Sequence, residues 1–127
     1  MDFDTLHFFE LQKHSDALPL YEALEGRILE EIPGVRIKVQ KSQITFYNKH
    51  LFACVSYARV RKKAQLPPCY MVVTVGLARK VESPRIAVAT EPYPGRWTHH
   101  IVVSSLEEID DELMGWVKEA AAFAAAK

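Results

Sequence analysis

Three groups of side chains in this sequence could do chemistry: His99-His100 behind Arg96-Trp97, the basic run Arg59, Arg61, Lys62 and Lys63, and two cysteines, Cys54 and Cys69. Imidazole titrates near neutrality and can serve as acid, base or metal ligand. Adjacent residues of a strand point to opposite faces, so His99 and His100 cannot readily hold one ion together. On the stretch WTHHIVV, Trp97, His99, Ile101 and Val103 share one face, which makes His99 a core histidine with its nitrogens satisfied locally. Thr98, His100 and Val102 share the other. His100 is then the candidate acid or base, with Arg96 as an anion clamp. Arg96 beside the Trp97 indole could also anchor an anion or an aromatic ligand, against the plainer reading of a Trp that plugs the sheet edge beneath a surface Arg.

The basic run ends a strand, with Tyr57 two residues before Arg59. Lys41, Tyr47 and Lys49 extend the patch if the sheet brings them near. A nucleic-acid surface has this composition, and so does a solvated loop. Sixteen basic against sixteen acidic residues give no net charge, and a general nucleic-acid or acidic-membrane binder carries an excess of cations, so the balance favours the loop. Asp110, Asp111 and Glu112 open a helix, where acids complement the dipole without any metal. Cys54 and Cys69 lie in apolar strands without CxxC spacing, which reads as reduced, unreactive thiols of a cytoplasmic protein. The chain has no GxGxxG, GxxxxGK[ST], HExxH or GxSxG pattern, so no nucleophile class, cofactor or metal is supported.

The elements that must position these groups centre on Ser42–Val60. Val, Ile, Thr, Tyr and Phe are dense there, and Asn48-Lys49 predicts a two-residue hairpin turn. That loop would pair Tyr47 with His50, Phe46 with Leu51, Thr45 with Phe52 and Ile44 with Ala53. One face then carries Ile44, Phe46, Leu51, Ala53 and Val55, a core face. The other carries Thr45, Tyr47, His50, Phe52, Cys54 and Ser56 and is mixed. Upstream, Tyr21, Leu24, Ile28 and Ile32 make the buried stripe of a helix starting near Ser15, with Pro19 in its first turn and Pro33-Gly34 ending it. Residues 1–14 read as a loosely attached segment able to form a short helix over Thr5–Leu11. Strands are predicted at 35–40, 69–77, 85–89 and 97–103, with a rigid loop from Glu91 to Gly95. Ser105 with Glu108 predicts a capping box opening the last helix, whose stripe is Ile109, Leu113, Trp116, Val117, Ala120 and Ala124. Its Ala-rich end is predicted to fray.

At 127 residues, with 49% apolar and 25% charged residues, the chain reads as one soluble α+β domain over 1–127. No stretch approaches the ~20 apolar residues of a membrane span. The N-terminus has no basic region ahead of an apolar run and does not read as a signal peptide.

LYEAL (Leu20–Leu24), KSQITFYNKHLFACV (Lys41–Val55) and RWTHHIVVSSLEEIDDELMGWVKEA (Arg96–Ala120) resemble an uncharacterised bacterial family of domains of unknown function numbered 5655, some members of which are labelled "predicted transport protein". The likeness runs from about residue 15 to 122. It implies a compact α+β cytoplasmic domain with no established activity, and it carries over no catalytic residues.

The expected architecture is a mostly antiparallel sheet of five or six strands with the N- and C-terminal helices on one face. The reverse face, with Tyr47, Phe52, Cys54 and His100, is left to meet a ligand, a protein partner or a second copy through the sheet. The first functional expectation is a non-catalytic binding or interaction module whose contact region is Lys41, Tyr47, Arg59, Arg96, Trp97 and His100. A small-molecule enzyme using His100 and Arg96, and a nucleic-acid accessory module using Arg59 to Lys63, are the alternatives.

Overall fold

The computed structural model of the chain describes residues 2–127. Tyr21, Leu24 and Ile28 recur at the spacing of one helix face, and Leu18–Glu31 (α2) is a helix that buries that face. Pro19 sits in its first turn, where few amide donors are needed. Gly34, at a φ of 70°, takes the left-handed conformation that turns the chain from this helix into the sheet.

The N-terminal segment, expected to be loosely attached, is fixed. Phe3–Leu11 (α1) is helical, capped by the Asp2 carboxylate, and buries Phe8 and Phe9. The cause is aromatic packing. Phe9 lies 5.5 Å from the Tyr21 ring, and Phe8 and Phe9 lie 6.3 Å and 6.2 Å from Tyr57. Met1 is outside the described residues.

Six strands, β1 (Arg36–Val39), β2 (Gln43–Tyr47), β3 (Leu51–Ser56), β4 (Met71–Leu77), β5 (Ile86–Tyr93) and β6 (Arg96–Val103), form one antiparallel sheet in the order β1-β2-β3-β4-β6-β5. The central hairpin forms, in a different register from the one the two-residue turn implies. Ile44 pairs with Val55, Thr45 with Cys54 and Phe46 with Ala53. A longer turn, Asn48 to His50, displaces the pairing by one residue, and a bulge between Phe46 and Tyr47 adds a second. A shift of two preserves side-chain parity, so the apolar face survives: Ile44, Phe46, Ala53 and Val55 are all buried. Leu51, beside the bulge, is only half-buried.

β5 is also longer than its apolar core suggests. It runs through Pro92 to Tyr93, leaving Pro94-Gly95 as the turn, with Gly95 at a φ of 81°.

Helices α2 and Asp111–Ala125 (α3) pack on the sheet face that carries Phe46, Val73 and Ile101, and one buried cluster joins them. The capping signal at Ser105 serves a different element. Glu108 accepts the Ser104 and Ser105 amide protons and closes a single 3-10 turn, Leu106–Glu108. Asp110 caps α3, its carboxylate accepting from the Leu113 amide at 3.0 Å. The Ala-rich end is helical to Ala125, and three of its alanines are buried. Ala120, Ala121 and Ala124 are 0%, 5% and 2% exposed, because small side chains let the helix lie close to its neighbours. The Asn48 side-chain amide also donates to the Ala121 carbonyl at 2.7 Å, tying the hairpin turn to α3.

On the reverse face Lys38, Thr45, Cys54, Thr74 and His100 form one cross-strand row. This face is shut at its centre rather than available. Thr45 and Val72 are each 0% exposed and Cys54 is 9% exposed; Phe52, expected on this face, is unpaired at the bulge and joins the main buried cluster instead.

Candidate functional site: a basic cleft lined with aromatic rings

Tyr57 follows β3 and is held from several sides. His14 stacks on it at 4.1 Å with the planes 5° apart, and Tyr70 meets it edge-on at 5.3 Å. Tyr70 is also edge-on to His14 at 5.0 Å, so the three rings form one cluster. The Tyr57 hydroxyl donates to the Tyr70 carbonyl at 2.8 Å, and burial raises its pKa, so the phenol remains a protonated donor.

His14 arrives from the corner between α1 and α2. Lys13, at a φ of 61°, is left-handed there, and the His14 amide donates to the Phe9 carbonyl. The Cys69 thiol donates to the Asp16 carbonyl at 3.4 Å, which draws that corner against the approach to β4.

The connection from β3 to β4 walls the other side. Its 3-10 turn, Lys63–Gln65, is closed by the Gln65 side chain accepting from the Lys62 amide, and Pro67-Pro68 stiffens its return. Arg61 donates to the Ala87 carbonyl of β5 at 3.0 Å, reaching a strand three places from β3 in the sheet. Between these walls lies a cleft of about 410 Å³ lined by His14, Tyr57, Tyr70, Leu66 and the two prolines, with Arg59, Arg61 and Lys63 on its rim. Arg59, Arg61, Lys62 and Lys63 are exposed, and none makes an ion pair among the described residues. Rings beside unpaired guanidinium and ammonium groups can take an anion, and a planar group attached to it.

The six residues expected to share a contact region do not come together. Arg59 is in the cleft. Lys41 lies at the same end of the sheet, in the β1–β2 turn, where its carbonyl accepts from Gln12. Tyr47, Arg96 and Trp97 lie at the opposite end, where β2 ends and β6 begins. Lys80 sits 5.5 Å above the Trp97 ring. The Arg96 guanidinium lies flat on β4 over Gly76, where a Cβ would meet its Nη2 at 2.6 Å, so only glycine leaves room for that pose. Hydrogen bonding from Arg96 lowers the pKa of the neighbouring Tyr93 phenol.

His100 lies mid-strand on the reverse face, half-buried, with Nδ1 2.8 Å from the Thr74 hydroxyl. Burial lowers its pKa, which keeps it neutral at pH 7. Arg96 is four residues along the same strand face, about 13 Å away at ~3.3 Å per residue. His99 is fully buried, and its Nε2 accepts from the Val81 amide at 2.9 Å. Its Nδ1 then carries the proton and has no hydrogen-bond partner, so only one of the two nitrogens is satisfied. Burial holds its pKa down, opposed in part by the Trp97 backbone. Both cysteines are free, and burial raises both thiol pKa values.

His14 and Tyr70 were missed as partners of Tyr57, because ring contacts between residues distant in the sequence leave no local pattern; Lys63 was already grouped with Arg59 in the basic run. A signal was present in the charges. All sixteen carboxylates fall within residues 1–31 and 82–127, and residues 32–81 hold ten of the sixteen Lys and Arg with no acid at all. The zero balance is an average over two opposite regions. The cleft's cations belong to the positive one.

No helix among the described residues is long and apolar enough to cross a membrane. The family model for the domain of unknown function DUF5655 matches residues 8–124. No curated protein and no solved structure matches the chain.

Proposed function

The chain belongs to the DUF5655 family of domains of unknown function, and from that premise we propose that it is a non-catalytic binding module whose ligand is an anion held in the Tyr57–Tyr70 cleft. One observation carries this reading: Arg59, Arg61 and Lys63 converge on a ring-lined cleft with no carboxylate paired to any of them. Cations brought together without counter-charges repel one another, and an anion relieves that repulsion. The rings are packed by their neighbours, so a ligand would meet a preformed wall.

The test is titration of the isotope-labelled protein with inorganic tripolyphosphate at low ionic strength, followed by amide and side-chain NMR shifts. Shifts should cluster on His14, Tyr57, Arg59, Lys63 and Tyr70, and should collapse in an Arg59→Ala, Lys63→Ala double variant. Shifts centred on Arg96 and His100, or none at millimolar ligand, would overturn the assignment.

A further inference from the structure

We infer that the occupant of this cleft is single-stranded nucleic acid, an inference that rests on the binding role proposed above. The cationic surface does not stop at the cleft. A shallower depression of about 570 Å³, formed by Arg59, Val60, Arg61, Lys62 and Gln65, adjoins it and shares Arg59 and Arg61 with it. Those two arginines therefore stand on the ridge between two hollows. A compact anion needs one hollow. A track of four cations within five residues, continuing from one hollow into the next, fits a polymer that carries a charge on every unit.

The rings select among polyanions. His14 and Tyr70 line the cleft together with the cations, and every nucleobase has a π-face that stacks on such side chains without regard to sequence. An acidic peptide supplies the charge and lacks the obligatory planar groups. A duplex keeps its bases stacked inside and could offer only its phosphates to the ridge.

The test uses the full chain and fluorescein-labelled dT12 in fluorescence polarisation across a salt series. Binding should weaken with salt at a log–log slope of about −2 to −3, as ~0.7 per neutralised phosphate predicts for three or four cations. Arg59→Ala with Lys63→Ala should weaken binding at least tenfold and flatten the slope by about 1.4. Tyr70→Leu should weaken it roughly fivefold or more with the slope unchanged, the mark of lost stacking rather than lost charge. Arg59→Glu, at an exposed site where folding is not at stake, should abolish it.

If tripolyphosphate shifts the cleft resonances while dT12 binds no better at equal charge concentration, the nucleic-acid inference fails and the binding role stands. If neither binds, both fail. Equal competition by poly-glutamate, or equal binding of a duplex, would also overturn the single-strand assignment.

Discussion

Replacing Arg85 by Met should destabilise the fold more than its surface position suggests. The residue precedes β5, and its guanidinium gathers the start of α3: Nη1 donates to both Asp110 oxygens at 2.9 and 3.1 Å and to Glu112 at 3.0 Å, and Nη2 donates to the Glu108 carbonyl at 2.6 Å. The same group lies 5.7 Å over the Trp116 ring. Arg85 is 20% exposed, whereas Asp110 and Glu112 are 44% and 56% exposed, so the carboxylate contacts are screened and contribute at most about 1 kcal/mol together. The bond to the Glu108 carbonyl is part-buried and charge-assisted, about 1–2 kcal/mol, and the indole contact adds about 0.5–1 kcal/mol. Met keeps the apolar stem, so the expected loss is about 2–4 kcal/mol. With ~2.1 cal/mol/K of unfolding entropy per residue, a chain of this length should lose about 7–15 °C in Tm. Urea unfolding followed by Trp fluorescence measures the loss directly, and a cycle with Asp110→Asn should show coupling of about 0.5 kcal/mol or more. A loss below about 0.5 kcal/mol would mean that the contacts are ordinary exposed ion pairs and that the clasp does not hold α3.

Stability should also fall on mild acidification. Burial favours the neutral form of His99 and His100 in the folded state, so their contribution is complete above about pH 6.5 and is lost as pH falls toward their folded pKa values. The urea midpoint should drop between about pH 7 and 5, with a shallower drop in His99→Gln; a midpoint that rises over that interval would contradict the sign. A second loss should begin in the ordinary carboxylate range and continue below it. There Asp110, held down by the Leu113 amide and Arg85, Glu31 by Arg27 and Lys118, and Glu119 by Arg79, take up protons as pH falls through their lowered folded pKa values. Asn48→Ala removes the bond to the Ala121 carbonyl and should cost about 1–2 kcal/mol, with faster amide exchange in the last turns of α3; unchanged exchange there would show that the turn does not anchor the helix.

Much of the architecture was legible because local patterns carry it. The 3.6-residue stripe of α2 announces its own burial, the strict alternation of β1 matches its alternately exposed and half-buried residues, and the core face of the hairpin came through a register error because parity was kept. The order β4-β6-β5 was not legible, since pairing between strands distant in sequence leaves no periodicity. The capping motif at Ser105 was recognised but assigned to the wrong helix: Ile109 interposes non-helical backbone between two valid caps, Ser105 and Asp110. The site suffered most. Arg59 was identified by its charge, but the residues that make a cleft around it come from the α1–α2 corner and from the approach to β4, and only the folded chain brings them within 6 Å of Tyr57. Arg96 and His100 were linked by sequence proximity, and a straight strand holds them apart.

The segregation of charge along the chain has a practical consequence at the bench. A protein with no net charge should barely migrate in a native gel at neutral pH, yet this one presents four exposed cations on the 59–63 loop, with no ion pair among the described residues, to any polyanionic matrix. Phosphocellulose should retain it at low salt, and its elution should track the number of cations on the 59–63 loop rather than the isoelectric point. Approach would be oriented as well: a molecule with one exposed cationic loop turns that loop forward before contact, which quickens capture while leaving the final grip to be set at short range.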